Sequence, residues 1–331
     1  MTQFRQMGQD AIGDASTICA RLMYGFQPKI HLNSIRDRLA TTAAGYSFVQ
    51  DPANKLASAY LDLSSQACLD PANGLMSRNS WKYEAVRRYL EGEAELLTQL
   101  ILVMYFQGGQ APRSTEFFSV ECKNGPSTLR GICVHAGSIV FITRHSKAGR
   151  ATNNEFQVAR YLSKEASSLV TTYLVYIRPF ALMLNRACFG DKRTRRLLFS
   201  SLRDPERPWT AGKLSKALRG RTERTCGVSF GVRTYRQLSI AVTERHVKQI
   251  SRPFNRFDDK STLADIEVVF AWQSGHRPIQ RGMAYGIDAA YPDSLQPALL
   301  RVYQWASIEW HRFLAINDDA TEPAVMDNST P

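Results

Sequence analysis

Apolar residues recur at three- and four-residue intervals at the start of the chain. Ile12, Ala15, Ile18, Cys19 and Leu22 predict a helix over residues 1–25. A second helix is expected after Asn33-Ser34, carrying Ile35, Leu39 and Ala43. The turn Asp51-Pro52-Ala53-Asn54 separates it from a third helical run around Ala57–Ala67, which Asp70-Pro71-Ala72-Asn73-Gly74 ends. A further segment leads from Trp81 through Tyr89. The apolar stripe is strongest over Glu91–Phe106 (Leu96, Leu97, Leu100, Ile101, Met104), a helix that should stop at Gly108-Gly109. Pro112 suits the first turn of a next helix over Arg113–Cys122.

The period then shortens to two. Leu129–Val134 and Ser138–Thr143 flank His135-Ala136-Gly137 and predict a hairpin, with Phe156–Tyr161 as a third strand after the polar link His145–Asn154. Helical spacing returns over Ser163–Asn185, where Pro179 is expected to kink or end a segment. More helices are expected over Trp209–Leu218, opened by Thr210, and over Val232–Val247 and Ala264–Trp272. A tryptophan-rich amphipathic helix, Gln296–Leu314, closes the pattern. The fold class is therefore mainly α with a small antiparallel β-sheet. A boundary near Arg88–Glu91 would divide it into an N-terminal helical domain (1–90) and a second domain (91–316). The acidic, small-residue-rich stretch 317–331 is expected to be a disordered tail.

Composition narrows the possibilities. Apolar residues make up 44% of the 331, enough for a sizeable core, yet no run of about 18 apolar residues predicts a membrane span. The N-terminus lacks the apolar stretch of a signal peptide, so a soluble intracellular protein with no membrane partner is expected. Six scattered cysteines without a Cys-x-x-Cys pair argue for free thiols, against both zinc and a disulfide framework. The formal net charge of +12 suits a polyanionic partner, although many basic proteins bind no nucleic acid specifically. Lys192-Arg193-Thr194-Arg195-Arg196 reads equally as a nuclear-import signal, a DNA-facing patch or a solvated face.

Five elements stand out in order along the chain. Arg113-x-x-Glu116 follows the glycine pair, Lys147 lies just past the hairpin, Arg236 sits early in a helix, and Gly275-His276 precedes Tyr285 by nine residues. Cations gathered around a tyrosine suit attack by a phenol oxygen on a phosphodiester. Such a reaction needs an in-line nucleophile, an acid for the leaving alkoxide and fixed positive charge on the non-bridging oxygens. Arginine fills the last role with a planar fork of donors. A covalent phosphotyrosine would conserve the bond energy, so neither ATP nor a metal nor any other cofactor is expected. Each element also has an ordinary reading: an i,i+3 helix pair for Arg113 and Glu116, loop charge for Lys147, a cap or salt bridge for Arg236, a turn histidine, a core tyrosine.

In this order and spacing the chain resembles the tyrosine recombinase (phage-integrase-like) family over roughly residues 90–315. Within it, GGQAPRSTE, TYRQLSIAV, QSGH and WHRFL look most like fungal Crypton-like recombinases and domains associated with telomere-linked RecQ-type helicases. The resemblance implies a DNA core-binding-like role for residues 1–90 and a catalytic domain over 91–316. It implies Arg113 and Arg236 as catalytic arginines, His276 beside them, Lys147 as the leaving-group acid and Tyr285 as nucleophile, with Glu116 and Arg233 supporting. The implied activity is DNA strand cleavage and rejoining, in recombination, integration or transposition of a mobile element, through a 3′-phosphotyrosyl intermediate. The alternative is a catalytically decayed DNA-binding module beside a helicase or other partner. Implied partners are double-stranded DNA and further copies of the chain in a synaptic dimer or tetramer, and the implied location is the nucleus. Two departures stand out: Arg233 occupies the family's His or Lys position, and Ser251–Thr262 looks inserted.

Overall fold

The computed structural model describes residues 1–145, 156–247 and 297–316. Its class is mainly α with small antiparallel sheets. Nine α-helices are described: α1 (Thr2–Leu22), α2 (Tyr60–Leu69), α3 (Tyr83–Gln107), α4 (Ser114–Phe118), α5 (Lys164–Thr172), α6 (Arg178–Phe189), α7 (Ala211–Cys226), α8 (Val232–Val242) and α9 (Pro297–Phe313). A two-residue hairpin pairs β1 (Met76–Ser77) with β2 (Ser80–Trp81). The main sheet has the order β3 (Ile132–His135), β4 (Ser138–His145), β5 (Phe156–Tyr161), antiparallel throughout. Ala136 and Gly137, both at positive φ (48° and 72°), close the β3–β4 hairpin as a two-residue turn whose twist matches that of the strands.

Helix α3 is the axis of the fold. Fourteen of its residues are buried, among them every position from Leu100 to Gln107, because α1, α5, α6, α7 and α9 all pack against it. The boundary expected near Arg88–Glu91 falls inside this unbroken helix, and one hydrophobic cluster runs from Phe4 to Leu314. The N-terminal helix joins it through Phe4, Met7, Ala11, Ala15 and Leu22.

Three elements depart from their sequence pattern. No helix forms over Ile35–Ala43; only a short 3-10 turn, Leu32–Ser34, precedes an extended path. Asp37 explains this. Its carboxylate is fully buried, 2.6 Å from Arg130 Nη2, and accepts the Val134 backbone N–H at 2.9 Å. Asn54 holds the neighbouring Arg36 backbone at both N–H and C=O. Tertiary bonds thus override a weak helical periodicity. Helix α4 ends at Phe118 rather than Cys122, because the chain turns to pair with residues 196–198: Leu198 N donates to Val120 O and Cys122 N to Arg196 O. At Pro179, expected to kink or end a segment, the helical rod continues but changes type just before it. A π-helical turn, Tyr173–Ile177, lies directly before α6 and opens the ladder where the proline lacks its N–H. The rod Lys164–Phe189 is long and apolar enough to cross a membrane by composition, but its apolar window is 78% buried within the fold.

The basic stretch 192–196 is largely tied to the protein itself. Arg195 is buried and pairs with buried Glu93 of α3 at 2.7 Å; Tyr173 donates to the same carboxylate oxygen at 2.6 Å. Arg193 pairs with Asp191 at 2.8 Å. A buried charge without its partner costs several kcal/mol, so Arg195 is a core residue. The six cysteines are free thiols.

Buried thiols make stability pH-dependent. Burial pushes Cys19 up to about 11 and Cys133 up to about 12 from an ordinary value of 9.0. Both stay protonated in the native state where the unfolded chain ionises, so their stabilisation is intact below pH 9 and drains away as pH climbs toward the raised values. Under reducing conditions, the unfolding free energy from urea denaturation should therefore fall between pH 8 and pH 10, by about 1 kcal/mol per pH unit for each thiol above its ordinary value. Cys133→Val should flatten that fall.

Candidate functional site: an arginine-lined loop

The site begins where α3 ends. The last carbonyls of a helix have no partner within it and need donors from elsewhere. Two side chains of α9 supply them: Trp310 Nε1 donates to Phe106 O at 2.7 Å, and His311 Nε2 lies 3.0 Å from Gln107 O. The chain then turns through Gly108 and Gly109. A Cβ on Gly108 would sit 2.5 Å from the Phe141 ring, and Gly109 takes a φ of +77°. Both positions therefore require glycine.

The next three residues have no ladder of their own. Each offers its carbonyl to one side chain from a different element. Arg160 Nε on β5 donates to Gln110 O at 2.9 Å, Arg236 Nε on α8 to Ala111 O at 3.1 Å, and Tyr105 Oη on α3 to Pro112 O at 3.1 Å. The Gln110 side chain is buried and reaches back to α8, donating to Ser239 O at 3.1 Å and to Thr243 Oγ1. This collar delivers Arg113, in extended conformation (φ −68°, ψ 145°), to the N-cap of α4. Glu116 accepts the Arg113 backbone N–H at 3.3 Å and lies 3.5 Å from its guanidinium. The pair is thus the half of a capping box in which the carboxylate reaches back.

Arg113 and Arg236, the two arginines singled out in the sequence, are therefore brought to one loop. Arg113 keeps 34% of its side chain exposed, and Arg236 is partly buried. Arg233 lies one turn before Arg236 on α8 and is exposed. Lys147, His276 and Tyr285 lie outside the described residues, as do the expected helix Ala264–Trp272, the segment 251–262 and the tail 317–331.

Arg160 joins this site although no sequence motif marks it. It is 1% exposed, donates to Thr143 Oγ1 at 2.7 Å, and sits 5.6 Å from the Phe141 ring centroid. Burial pushes its guanidinium down to about 10, with Glu116 opposing that shift and Arg236 adding to it, so it remains protonated at neutral pH. The one signal in the sequence is an arginine inside an apolar strand, opposite Phe141. Tyr105 lies in the same field, but burial outweighs the nearby Arg236 and Arg160 and holds its phenol above the ordinary range. It is a neutral donor to the loop.

Three guanidinium groups and one carboxylate thus meet behind and beside a single loop. Of the three, Arg113 is partly exposed, Arg236 partly buried and Arg160 fully buried. Arginine forks on a rigid collar can grip the oxygens of a phosphate, while a buried third cation strengthens the attraction without touching them. The Trp305–Trp310–Phe313 stripe belongs to the core: Trp310 is fully buried and Trp305 packs against the cluster. No family model, no curated protein and no solved structure matches this chain.

Two variants separate the collar's members. Arg160→Met strips two buried acceptors of a charged donor and should lower unfolding free energy by about 3 kcal/mol. Tyr105→Phe removes one neutral bond and should lower it by about 1 kcal/mol. Urea denaturation of both measures the difference; equal costs would mean that Arg160 is merely packed there.

Proposed function

We propose that this chain breaks and rejoins DNA strands in the manner of a tyrosine recombinase. The observation that carries this reading is the convergence of Arg113 and Arg236 on one loop, with Arg160 buried behind them. The order of the remaining candidates along the chain and the net charge of +12 support it.

In this mechanism Arg113 and Arg236 hold the non-bridging oxygens of the scissile phosphate, and His276 adds a further donor. The Tyr285 phenol oxygen attacks phosphorus; the new P–O bond forms as the bond to the 5′ oxygen breaks. Lys147 gives a proton to that leaving oxygen, which departs as a 5′-hydroxyl. The 3′-phosphotyrosyl bond conserves the energy of the phosphodiester, and a 5′-hydroxyl from a partner strand reverses the step. Positioning and fixed charge carry the barrier reduction, which is the role a rigid arginine collar suits.

A second reading is a DNA-binding module that no longer cleaves. Arg233 favours it, since a guanidinium at the position of a histidine or lysine is a poor base. One experiment divides the two. On a nicked suicide duplex, the wild-type chain should form a covalent adduct that survives denaturing electrophoresis, and Tyr285→Phe should form none while still binding duplex. An adduct retained by Tyr285→Phe refutes the mechanism; duplex binding without any wild-type adduct selects the binding module.

A further inference from the structure

The segment Ala211–Val242, which contains α7 and α8, holds seven basic residues and one acidic one, Glu223. The fold uses three of the seven internally. Arg221 pairs with Asp14 and Asp10 of α1, Arg224 lies 3.8 Å from Asp14, and Lys213 sits 3.1 Å above the Trp209 ring centroid. A fourth, Arg236, belongs to the collar.

Three remain: Lys216, Arg219 and Arg233. All are exposed, and among the described residues none forms an ion pair. Lys216 and Arg219 share one face of α7 at i,i+3 spacing, as Arg233 and Arg236 do on α8. The two faces join at Gly231. Ser215 Oγ lies 3.4 Å from Val232 N, and a Cβ on Gly231 would approach Arg219 Nε to 3.5 Å. The Arg219 guanidinium therefore lies over the start of α8, where Gly231 precedes Arg236 by five residues. At 1.5 Å per helical residue that separation is about 7.5 Å, the axial rise of about two nucleotides along one DNA strand.

We infer that Lys216, Arg219 and Arg233 form a phosphate track, a strip across α7 and α8 that carries one strand of duplex DNA to the collar of Arg113 and Arg236. The inference rests on the reading of that collar as a phosphodiester site. Uniform charge scattered over the surface would attract DNA without direction. A strip whose neighbouring cations are engaged by the α1 carboxylates and Trp209 gives the backbone one path. Glu223, one turn beyond Arg219, marks its end on α7.

The test is the salt dependence of duplex binding by the full chain, read by fluorescence anisotropy with a labelled duplex of arbitrary sequence. Removing one phosphate-neutralising cation should reduce the slope of log K against log [salt] by about 1. The triple variant Lys216→Gln/Arg219→Gln/Arg233→Gln should therefore reduce it by about 3, and Arg219→Gln alone by about 1. A control that removes the same charge, Lys29→Gln/Lys55→Gln/Lys82→Gln, alters exposed lysines outside α7 and α8 and should keep the wild-type slope. An unchanged slope in the strip variants, or an equal reduction in the control, overturns the track. Wild-type protein that ignores duplex at every salt concentration overturns both the track and the proposed function. The expected slopes with no covalent adduct sink the cleavage chemistry and leave the track standing.

Discussion

Five carbonyl groups in seven residues, from Phe106 to Pro112, leave a helix and cross the protein interior without a backbone ladder. Each is met by a side chain: Trp310, His311, Arg160, Arg236 and Tyr105. An unpaired buried carbonyl costs a few kcal/mol, so the loop exists in this form only if all five donors arrive together. They come from α3, β5, α8 and α9. The closing helix, the third strand and the helix bearing Arg236 are thereby locked to the same short stretch. Arg113 emerges from it with its backbone already fixed, so the proposed phosphate grip would leave little backbone freedom to lose.

Much of the fold is legible in the sequence. The stripe of Leu96, Leu97, Leu100, Ile101 and Met104 marks the buried face of α3, and His135-Ala136-Gly137 marks the hairpin. Thr210 opens α7, and Gly108-Gly109 ends α3. The failures share a cause. Ile35, Leu39 and Ala43 have helical spacing, but Asp37 is drawn into β3 by Arg130 across more than ninety residues, a bond that no local window contains. Helix α4 stops early because residues 120–122 pair with residues 196–198. The boundary expected near Arg88–Glu91 falls inside α3, whose buried positions run through it from Val86 to Gln107.

The candidate site is half legible. Arg113-x-x-Glu116 and Arg236 stand out by motif, and their meeting on one loop follows from the fold rather than from either motif. Arg160 stays hidden because a buried arginine resembles, in sequence, any strand residue with a polar tip. Its partners, Gln110 O and Thr143 Oγ1, carry no signature of their own. Lys192–Arg196 misleads in the opposite direction: a run of cations that reads as a surface patch sends Arg195 inward to Glu93.

Arginine therefore does two separate jobs in this chain, and burial distinguishes them. Arg130, Arg160, Arg178, Arg195 and Arg221 are each at most 5% exposed and spend their donors on carbonyls and carboxylates of the fold. A positive net charge counted over the sequence overstates what a partner meets, since these five face inward. Among the cations that remain outside are Lys216, Arg219 and Arg233 on α7 and α8, beside the loop after α3. Guanidinium groups suit both roles for one reason: a planar fork is fixed by two acceptors, whether these are carbonyls of the chain or oxygens of a phosphate. In the proposed reading the two uses meet in the collar, because the Nε of Arg236 is held by Ala111 O on the loop that carries Arg113. Fixing one edge of a guanidinium to the backbone orients its other edge, and a binding group becomes part of the fold.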